Sequence, residues 1–301
     1  SEPKEPLPTT LESVVQIKDL KVHFYIRGGV FNRPVARIHA VENVSLSIRA
    51  GSTLALVGES GCGKSTIGKA MMGLVPWSGQ IQLNGDSIAG LSRPQMQRVL
   101  RNIQMIFQDP GASLDPRMKV GDQVGEPMVV HGIARGTALK DRVAYLFQRV
   151  GLSRDAIERY PHEFSGGQRQ RICIARALSL SPKVIIADEC VSALDVSIQA
   201  QVLELLKELQ QEDDLAYLFI SHDMAVIEQM ADEVAVMRLG QIVEHGYRDA
   251  VLRDPRHSYT QRLLSAVPIP DPEVERAQPR RETSAEPESP IFTLNEQPTP
   301  L

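Results

Sequence analysis

Nine consecutive residues, Gly58-Glu59-Ser60-Gly61-Cys62-Gly63-Lys64-Ser65-Thr66, carry the densest chemistry in the sequence. They match G-x-x-x-x-G-K-[ST], the spacing of a loop that holds phosphate. Glycines let backbone N–H groups curl around phosphate oxygens where a side chain would collide. A helix opening near Lys64 adds its positive end at the same point. The Lys64 ammonium suits β- and γ-phosphates, and the Ser65 hydroxyl suits Mg²⁺. These residues read as a nucleoside triphosphate site. Further on, the apolar run Val184-Ile185-Ile186-Ala187 delivers two carboxylates, Asp188 and Glu189. They stand at the strand end where α/β sheets hold their ligands. Asp188 suits Mg²⁺, directly or through water, and Glu189 suits a general base that polarises the attacking water. A strand ending in Asp-Glu is a weak signal alone and gains force from the phosphate loop upstream. A third candidate is Ser165-Gly166-Gly167-Gln168, followed by the basic, apolar-periodic stretch from Arg169. By itself it is either a second phosphate-facing helix N-terminus or a hinge.

The elements that must position these residues are legible around them. Leu54-Ala55-Leu56-Val57 is a short unbroken apolar run, as a strand buried on both faces should be. Val184–Ala187 and Tyr217–Ile220 read the same way, and Val202, Leu205, Leu206 and Leu209 mark one face of a helix between them. Alternation over Val14–Phe24 and Val44–Ile48 predicts half-buried antiparallel strands. Ile81-Gln82-Leu83 before Asn84-Gly85-Asp86 predicts a strand entering a tight turn. Val234–Met237, Leu239-Gly240 and Gln241–Val243 predict a closing hairpin. Within Gly121–Val150, helical spacing puts Val143, Leu146, Phe147 and Val150 on one face. We find no internal repeat.

Composition sets limits. The 301 residues carry 33 Lys and Arg against 37 Asp and Glu, a formal charge of −4, which argues against a nucleic-acid-coating protein. No apolar stretch approaches the roughly 20 residues that cross a bilayer, and no signal-peptide pattern opens the sequence. Three cysteines without a pairing pattern fit a reducing compartment better than a disulfide scaffold. Residues 1–12 and 268–301 are rich in proline and acidic residues and are expected to be flexible.

Ser165–Gln168 opens the comparison that narrows the class, because other segments stand in order around it. Gln108 lies in Ile106-Phe107-Gln108-Asp109, Ser192-Ala193-Leu194-Asp195 follows Glu189, and His222 lies in Ile220-Ser221-His222-Asp223. Together these resemble the signature, Q-loop, D-loop and switch histidine of the ATP-binding cassette (ABC) transporter ATPases. The resemblance covers about residues 14–267. Ser113-Leu114-Asp115-Pro116-Arg117, Tyr160-Pro161-His162-Glu163-Phe164 and His257-x-Tyr259-Thr260 are similar to the dipeptide, oligopeptide and glutathione importer branch. Nearest among these is the second cassette of a fused glutathione-importer type ATPase, which would also account for Ser1 in place of an initiator Met. Two departures stand out. Relatives often end in a cysteine-rich segment, whereas no Cys follows Cys190 here, so no iron–sulfur cluster is expected. Cys190 itself replaces a small residue directly after Glu189.

The resemblance implies an ABC ATPase domain over 13–267, made of a P-loop NTPase, RecA-like α/β core, an antiparallel β-subdomain, and an α-helical subdomain inserted at about 109–180. It implies Mg–ATP as cofactor and hydrolysis of ATP to ADP and phosphate to power import of a peptide-like solute. Gln108 would ligate Mg²⁺ or its water, and His222 would contact the γ-phosphate. Phe24, or failing it Tyr25, would stack on adenine. Ser165–Gln168 would close over ATP held by a second cassette, identical, paralogous or fused. Partners would be two membrane permease subunits and, indirectly, an extracytoplasmic solute-binding protein, with no nucleic acid. The chain would sit peripherally on the cytoplasmic face of the inner membrane. The alternative is a non-transport ABC ATPase of repair or translation. Against it stand the short, cysteine-free interval between Gln108 and Ser165 and the missing charged helical linker.

Overall fold

The computed structural model describes residues 13–28, 33–265 and 291–293, with backbone alone at 26–28, 33–36 and 291–293. The predicted flexible segments 1–12 and 268–301 lie outside the described residues, Ile291–Thr293 excepted. In chain order the elements begin with β1 (Ser13–Gly28), β2 (Arg33–Arg49), β3 (Thr53–Val57), α1 (Lys64–Met71), β4 (Ser78–Leu83), β5 (Asp86–Ser87) and α2 (Arg93–Leu100). There follow β6 (Ile103–Ile106), α3 (Pro110–Ser113), α4 (Val120–Val130), α5 (Gly136–Arg149), α6 (Gly166–Leu178), β7 (Val184–Asp188) and α7 (Val196–Asp213). The remainder is β8 (Ala216–Ile220), α8 (Met224–Met230), β9 (Glu233–Arg238), β10 (Gln241–Tyr247), α9 (Arg248–Arg253), α10 (Ser258–Ser265) and β11 (Ile291–Thr293).

Two compact units divide the described residues of these elements, one drawn from those up to 17, 46–53 and 80–218, the other from those between 18 and 45, 54–79 and those from 219 on. In the first unit β7 is buried along its whole length, as its unbroken apolar sequence requires. β6 pairs parallel to it, Ile103 beside Val184 and Ile106 beside Ala187. The start of β8 joins the other edge of β7 through the Ala216 N–H to the Lys183 carbonyl. α7 lays Val202, Leu203, Leu205, Leu206 and Leu209 into this core. Each such fully buried side chain contributes about 1.5–3 kcal/mol. α4, α5 and α6 pack together as a helical layer around Val124, Met128, Val143, Phe147 and Ile172. Arg149 of α5 forks onto Asp213 and Glu212 at the end of α7, at 2.8 and 2.7 Å. The turn between β4 and β5 is Asn84-Gly85, both with positive φ, so Leu83 faces Asp86 as the Asn-Gly pair predicts.

In the second unit β3 runs parallel to β9, Leu54 beside Glu233 and Val57 beside Val236. β9 turns through Leu239-Gly240, both at positive φ, into antiparallel β10. The hairpin read from the sequence is therefore present. β11 pairs antiparallel with β2, Ile291 beside Ile38, so these three residues of the expected flexible tail are strand. Ile-Phe-Thr is β-branched and aromatic, the composition that favours this.

The long strands depart from simple alternation. β1 buries Val15 and Ile17, then Leu20 and Val22, and β2 buries Val41, then Val44, Leu46 and Ile48. The phase changes fall at Asp19 and Asn43, which have φ of 50° and 54°. An extra residue in a left-handed conformation at each point re-aims the rest of the strand.

Candidate functional site

The predicted phosphate loop belongs to the second unit and leaves the end of β3. Gly58, Gly61 and Gly63 all have positive φ, 151°, 80° and 109°. Two of them are required twice over. A Cβ at Gly58 would lie 2.2 Å from the Met237 carbonyl oxygen, and one at Gly63 would lie 2.2 Å from that of Ala40. Backbone of β9 and β2 therefore presses on the loop where only glycine fits. The turn after β9 adds a hydrogen bond, Gly240 N–H to the Cys62 carbonyl at 3.0 Å, and Glu42 N–H in turn donates to Gly240 O. Gly63 caps α1, so the helix N-terminus begins at Lys64.

Lys64 is only 4% exposed. Its ammonium donates to the carbonyls of Gly58 and Glu59, both at 2.8 Å, and approaches the Cys62 sulfur at 3.9 Å. A buried cation is stable there because backbone dipoles surround it. Burial pushes the Cys62 thiol up, outweighing the neighbouring Lys64 charge, so it remains a protonated small side chain.

β8 delivers the next residue. Tyr217 N–H donates to Ser52 O and Ser221 N–H to Leu56 O, an equal advance on both strands, so β8 runs parallel to β3. His222 consequently emerges at the carboxyl end of a parallel strand, beside the strand that feeds the loop. It is exposed, and the turn beneath it is set by Ser221 Oγ, which accepts from Asp223 N–H, and by Asp223, which caps α8 through Ala225 N–H. Phe24 and Tyr25 on β1 are both exposed, 36% and 56%. Adjacent strand residues point to opposite faces, so only one of them can meet a given ligand.

The carboxylates belong to the first unit. Asp188 ends β7 at 7% exposure, and Glu189 follows with φ 47°, a left-handed conformation strained for any residue with a Cβ. Ser192 holds it there, its N–H and its hydroxyl both donating to the Glu189 carbonyl, at 3.1 and 2.9 Å. Because Ile106 is in register with Ala187, Gln108 leaves β6 level with Glu189. The Gln108 side-chain amide donates to the Glu189 carboxylate at 3.0 Å. Here Gln108 engages the carboxylate through its NH₂; its carbonyl oxygen is the atom a cation would take. Burial drives the Cys190 thiol up to about 12, so Cys190 is a packing residue and not a nucleophile.

Ser165 caps α6. Its hydroxyl accepts from Gln168 N–H, and the Gln168 side chain accepts from Ser165 N–H, a reciprocal capping box. Gly167 is buried against α7, where a Cβ would lie 2.3 Å from Ile198 Cγ2, so glycine is needed for this close approach. Sequence reasoning missed three features: the Ser192 clamp, the Gly240 contact, and a hydrogen bond from the loop to Tyr259. Each joins segments far apart in sequence or depends on a turn, so no periodicity announces it.

Among the described residues, one cluster has the residue types of a metal centre, His23, His39 and Glu42 in the second unit. Its hydrogen bonds argue otherwise. Arg37 Nε donates to His39 Nε2, which leaves His39 Nδ1 carrying the proton that goes to Glu42, at 2.8 and 2.9 Å. His23 meets the same carboxylate oxygen at 2.7 Å, and Lys21 lies 3.4 Å from Glu42. Two cations and a committed tautomer make this an ion-pair relay and not a cage for another cation.

The family model described as ABC transporter matches residues 41–192, and one described as oligopeptide/dipeptide transporter, C-terminal region, matches 243–291. The chain is 56% identical over 271 residues to the glutathione import ATP-binding protein GsiA of Salmonella paratyphi A, covering 90% of this chain and 43% of that protein. It is 52% identical over 298 residues to GsiA of Pectobacterium atrosepticum, covering 99% and 48%. The chain thus spans under half the length of these curated relatives. Among solved structures, cbiO1 of Clostridium perfringens, part of the ABC transporter complex cbiONQ, aligns with TM-score 0.68 at 26% identity, over 80% of this chain and 91% of that one. The dimeric ATP-binding cassette MJ0796, in a post-hydrolysis state with ADP and Pi, aligns with TM-score 0.67 at 25% identity, over 78% and 98%.

Proposed function

The chain belongs to the ABC transporter family, and from that premise we propose that it hydrolyses ATP to power import of glutathione or a related peptide through a separate membrane permease. The observation that carries the chemistry is the loop itself, glycines under main-chain pressure around a buried Lys64 ammonium. That donor set matches a triphosphate: amides and one cation, with the Ser65 hydroxyl at the start of a helix. Lys64 neutralises the β- and γ-phosphates. In the second unit Ser65 would be a ligand for Mg²⁺, and in the first unit Asp188 and the Gln108 carbonyl would be; the ion would supply charge neutralisation at the phosphates. Glu189 takes the proton of the attacking water while Gln108 orients its carboxylate. His222 hydrogen-bonds the γ-phosphate, and Phe24 or Tyr25 stacks on adenine.

Ser165 and the amides after it donate across an interface to ATP held by a second cassette. The dimeric MJ0796 cassette, bound to ADP and Pi in a post-hydrolysis state, supports that arrangement by analogy. Two permease subunits would take up the motion of the helical layer, with a solute-binding protein feeding them from outside. The chain would act at the cytoplasmic face of the membrane; no helix among the described residues is long and apolar enough to cross one.

The glutathione reading rests on the two GsiA relatives, the dipeptide and oligopeptide reading on the C-terminal family match. Deleting this coding region from its host decides between them. Loss of labelled glutathione uptake with dipeptide uptake retained is the expected result; the reverse would reassign the solute, and loss of neither would remove the import reading.

A further inference from the structure

One buried contact in the second unit ties the phosphate loop to the C-terminal region. Tyr259, on α10, is 1% exposed, and its hydroxyl accepts the N–H of Glu59 at 3.2 Å across 200 residues of sequence. A phenol so deeply buried needs a polar partner, and the loop provides it.

The peptide unit concerned is the one between Gly58 and Glu59. Its carbonyl accepts from the Lys64 ammonium and its N–H donates to Tyr259. In a trans peptide these groups point in opposite directions, so Lys64 and Tyr259 grip one plane from its two sides. Gly58 stands at φ 151°, where the backbone has little steric reason to prefer this orientation. The Tyr259 hydroxyl supplies the preference, turning the Gly58 carbonyl toward Lys64.

Tyr259 is itself anchored. Glu244 of β10 accepts the N–H groups of Arg256 and His257 at 2.8 and 3.1 Å. His257 Nδ1 then accepts the N–H of Tyr259 at 3.1 Å. The Arg238 guanidinium lies 5.1 Å from the Tyr259 ring centroid, at the end of the strand whose Met237 carbonyl presses on Gly58. A chain of contacts thus runs from β10 through α10 to the peptide that orients Lys64.

We propose that Tyr259 is a positioning residue for nucleotide binding, setting the Gly58–Glu59 peptide and through it the Lys64 ammonium, so that phosphate affinity depends on the seating of the C-terminal α10. This rests on the loop being the triphosphate site.

Tyr259→Phe removes the acceptor and keeps the ring with its Arg238 contact. The expected result is a rise of about 3- to 10-fold in the Kd and KM for Mg–ATP, the range one net hydrogen bond spans, with kcat within about 2-fold. Binding of adenosine, which has no phosphate, stays unchanged, a split that a general loss of packing would not produce. In a Lys64→Ala background the same substitution has little further effect, because its route runs through Lys64. Glu244→Gln, which loosens α10 from outside the loop, shifts ATP affinity in the same direction by less and serves if Tyr259→Phe fails to fold. A wild-type chain that binds ATP beside an equally tight Tyr259→Phe, or equal losses for adenosine and ATP, overturns the proposal. A wild-type chain that binds no ATP overturns the reading of the loop and the proposal with it.

Discussion

The phosphate loop and the carboxylate end of β7 are held by opposite means. Main chain holds the loop: carbonyls of Ala40 and Met237 exclude side chains at Gly63 and Gly58, and Gly240 fixes Cys62 through an N–H. Side chains hold the carboxylate end, where Gln108 binds the Glu189 carboxylate and the Ser192 hydroxyl pins its carbonyl. A main-chain cradle is insensitive to most substitutions and intolerant at its glycines. A side-chain clamp can be dismantled one group at a time with the fold intact. Binding and chemistry should therefore separate cleanly between the two regions.

Opposed substitutions test that contrast most directly. Glu189→Gln removes the proposed base and leaves the cradle untouched. It should lower the ATPase rate by about 10²-fold or more while the Kd for ATP stays within about 3-fold. Lys64→Ala should do the converse, weakening ATP binding by about 10- to 100-fold through loss of charge-assisted hydrogen bonds. Titration with a fluorescent ATP analogue beside phosphate-release kinetics reads both. A Glu189→Gln protein that hydrolyses near the wild-type rate would mean that the base lies elsewhere.

The same contrast explains what was legible in the sequence. Main-chain demands write themselves as glycines at fixed spacing, so Gly58, Gly63 and Lys64 could be read directly. Buried strands such as Val184–Ala187 are equally plain, because a parallel-sheet strand covered on both faces demands unbroken apolar residues. The hydrogen bond from Gln108 to Glu189 follows from the register of Ile106 with Ala187, a fact of pairing that no single segment contains. The role of Gln108 follows only from the resemblance, and nothing in the sequence alone assigns Tyr259 a role. The phase shifts at Asp19 and Asn43 were missed because a single left-handed residue leaves the composition of a strand unchanged.

A milder substitution tests whether the clamp on Glu189 matters to the chemistry. Gln108→Leu keeps the approximate volume and deletes the donor to the carboxylate. The expected outcome is a kcat lower by about 3- to 20-fold with ATP affinity near wild type, a graded version of the Glu189 effect. Equal loss in kcat and affinity would instead indicate that Gln108 serves chiefly the bound nucleotide or its metal.

The smallest expected effect concerns a side-chain cluster on the strand that presses on the cradle. His39, Ala40 and Glu42 lie on the stretch of β2 whose carbonyl presses on Gly63 and whose Glu42 N–H reaches Gly240. Burial chiefly, together with the His23 and Arg37 charges, holds His39 below the ordinary histidine value against the pull of Glu42. Glu42 is itself held low, because hydrogen bonds from His23 and His39 outweigh its burial. Both shifts have the same sign for folding. Below about pH 6.5 the unfolded chain takes up a proton at His39 more readily than the folded one, so stability falls as pH drops. The low-lying Glu42 adds a further loss when pH falls through the carboxylate range. The thermal midpoint should therefore drop between pH 7.5 and 5.5, and His39→Asn should shrink that drop while leaving the midpoint at pH 7.5 little changed. An identical pH slope in the variant would show that the relay does not titrate, and that the main-chain cradle stands without it.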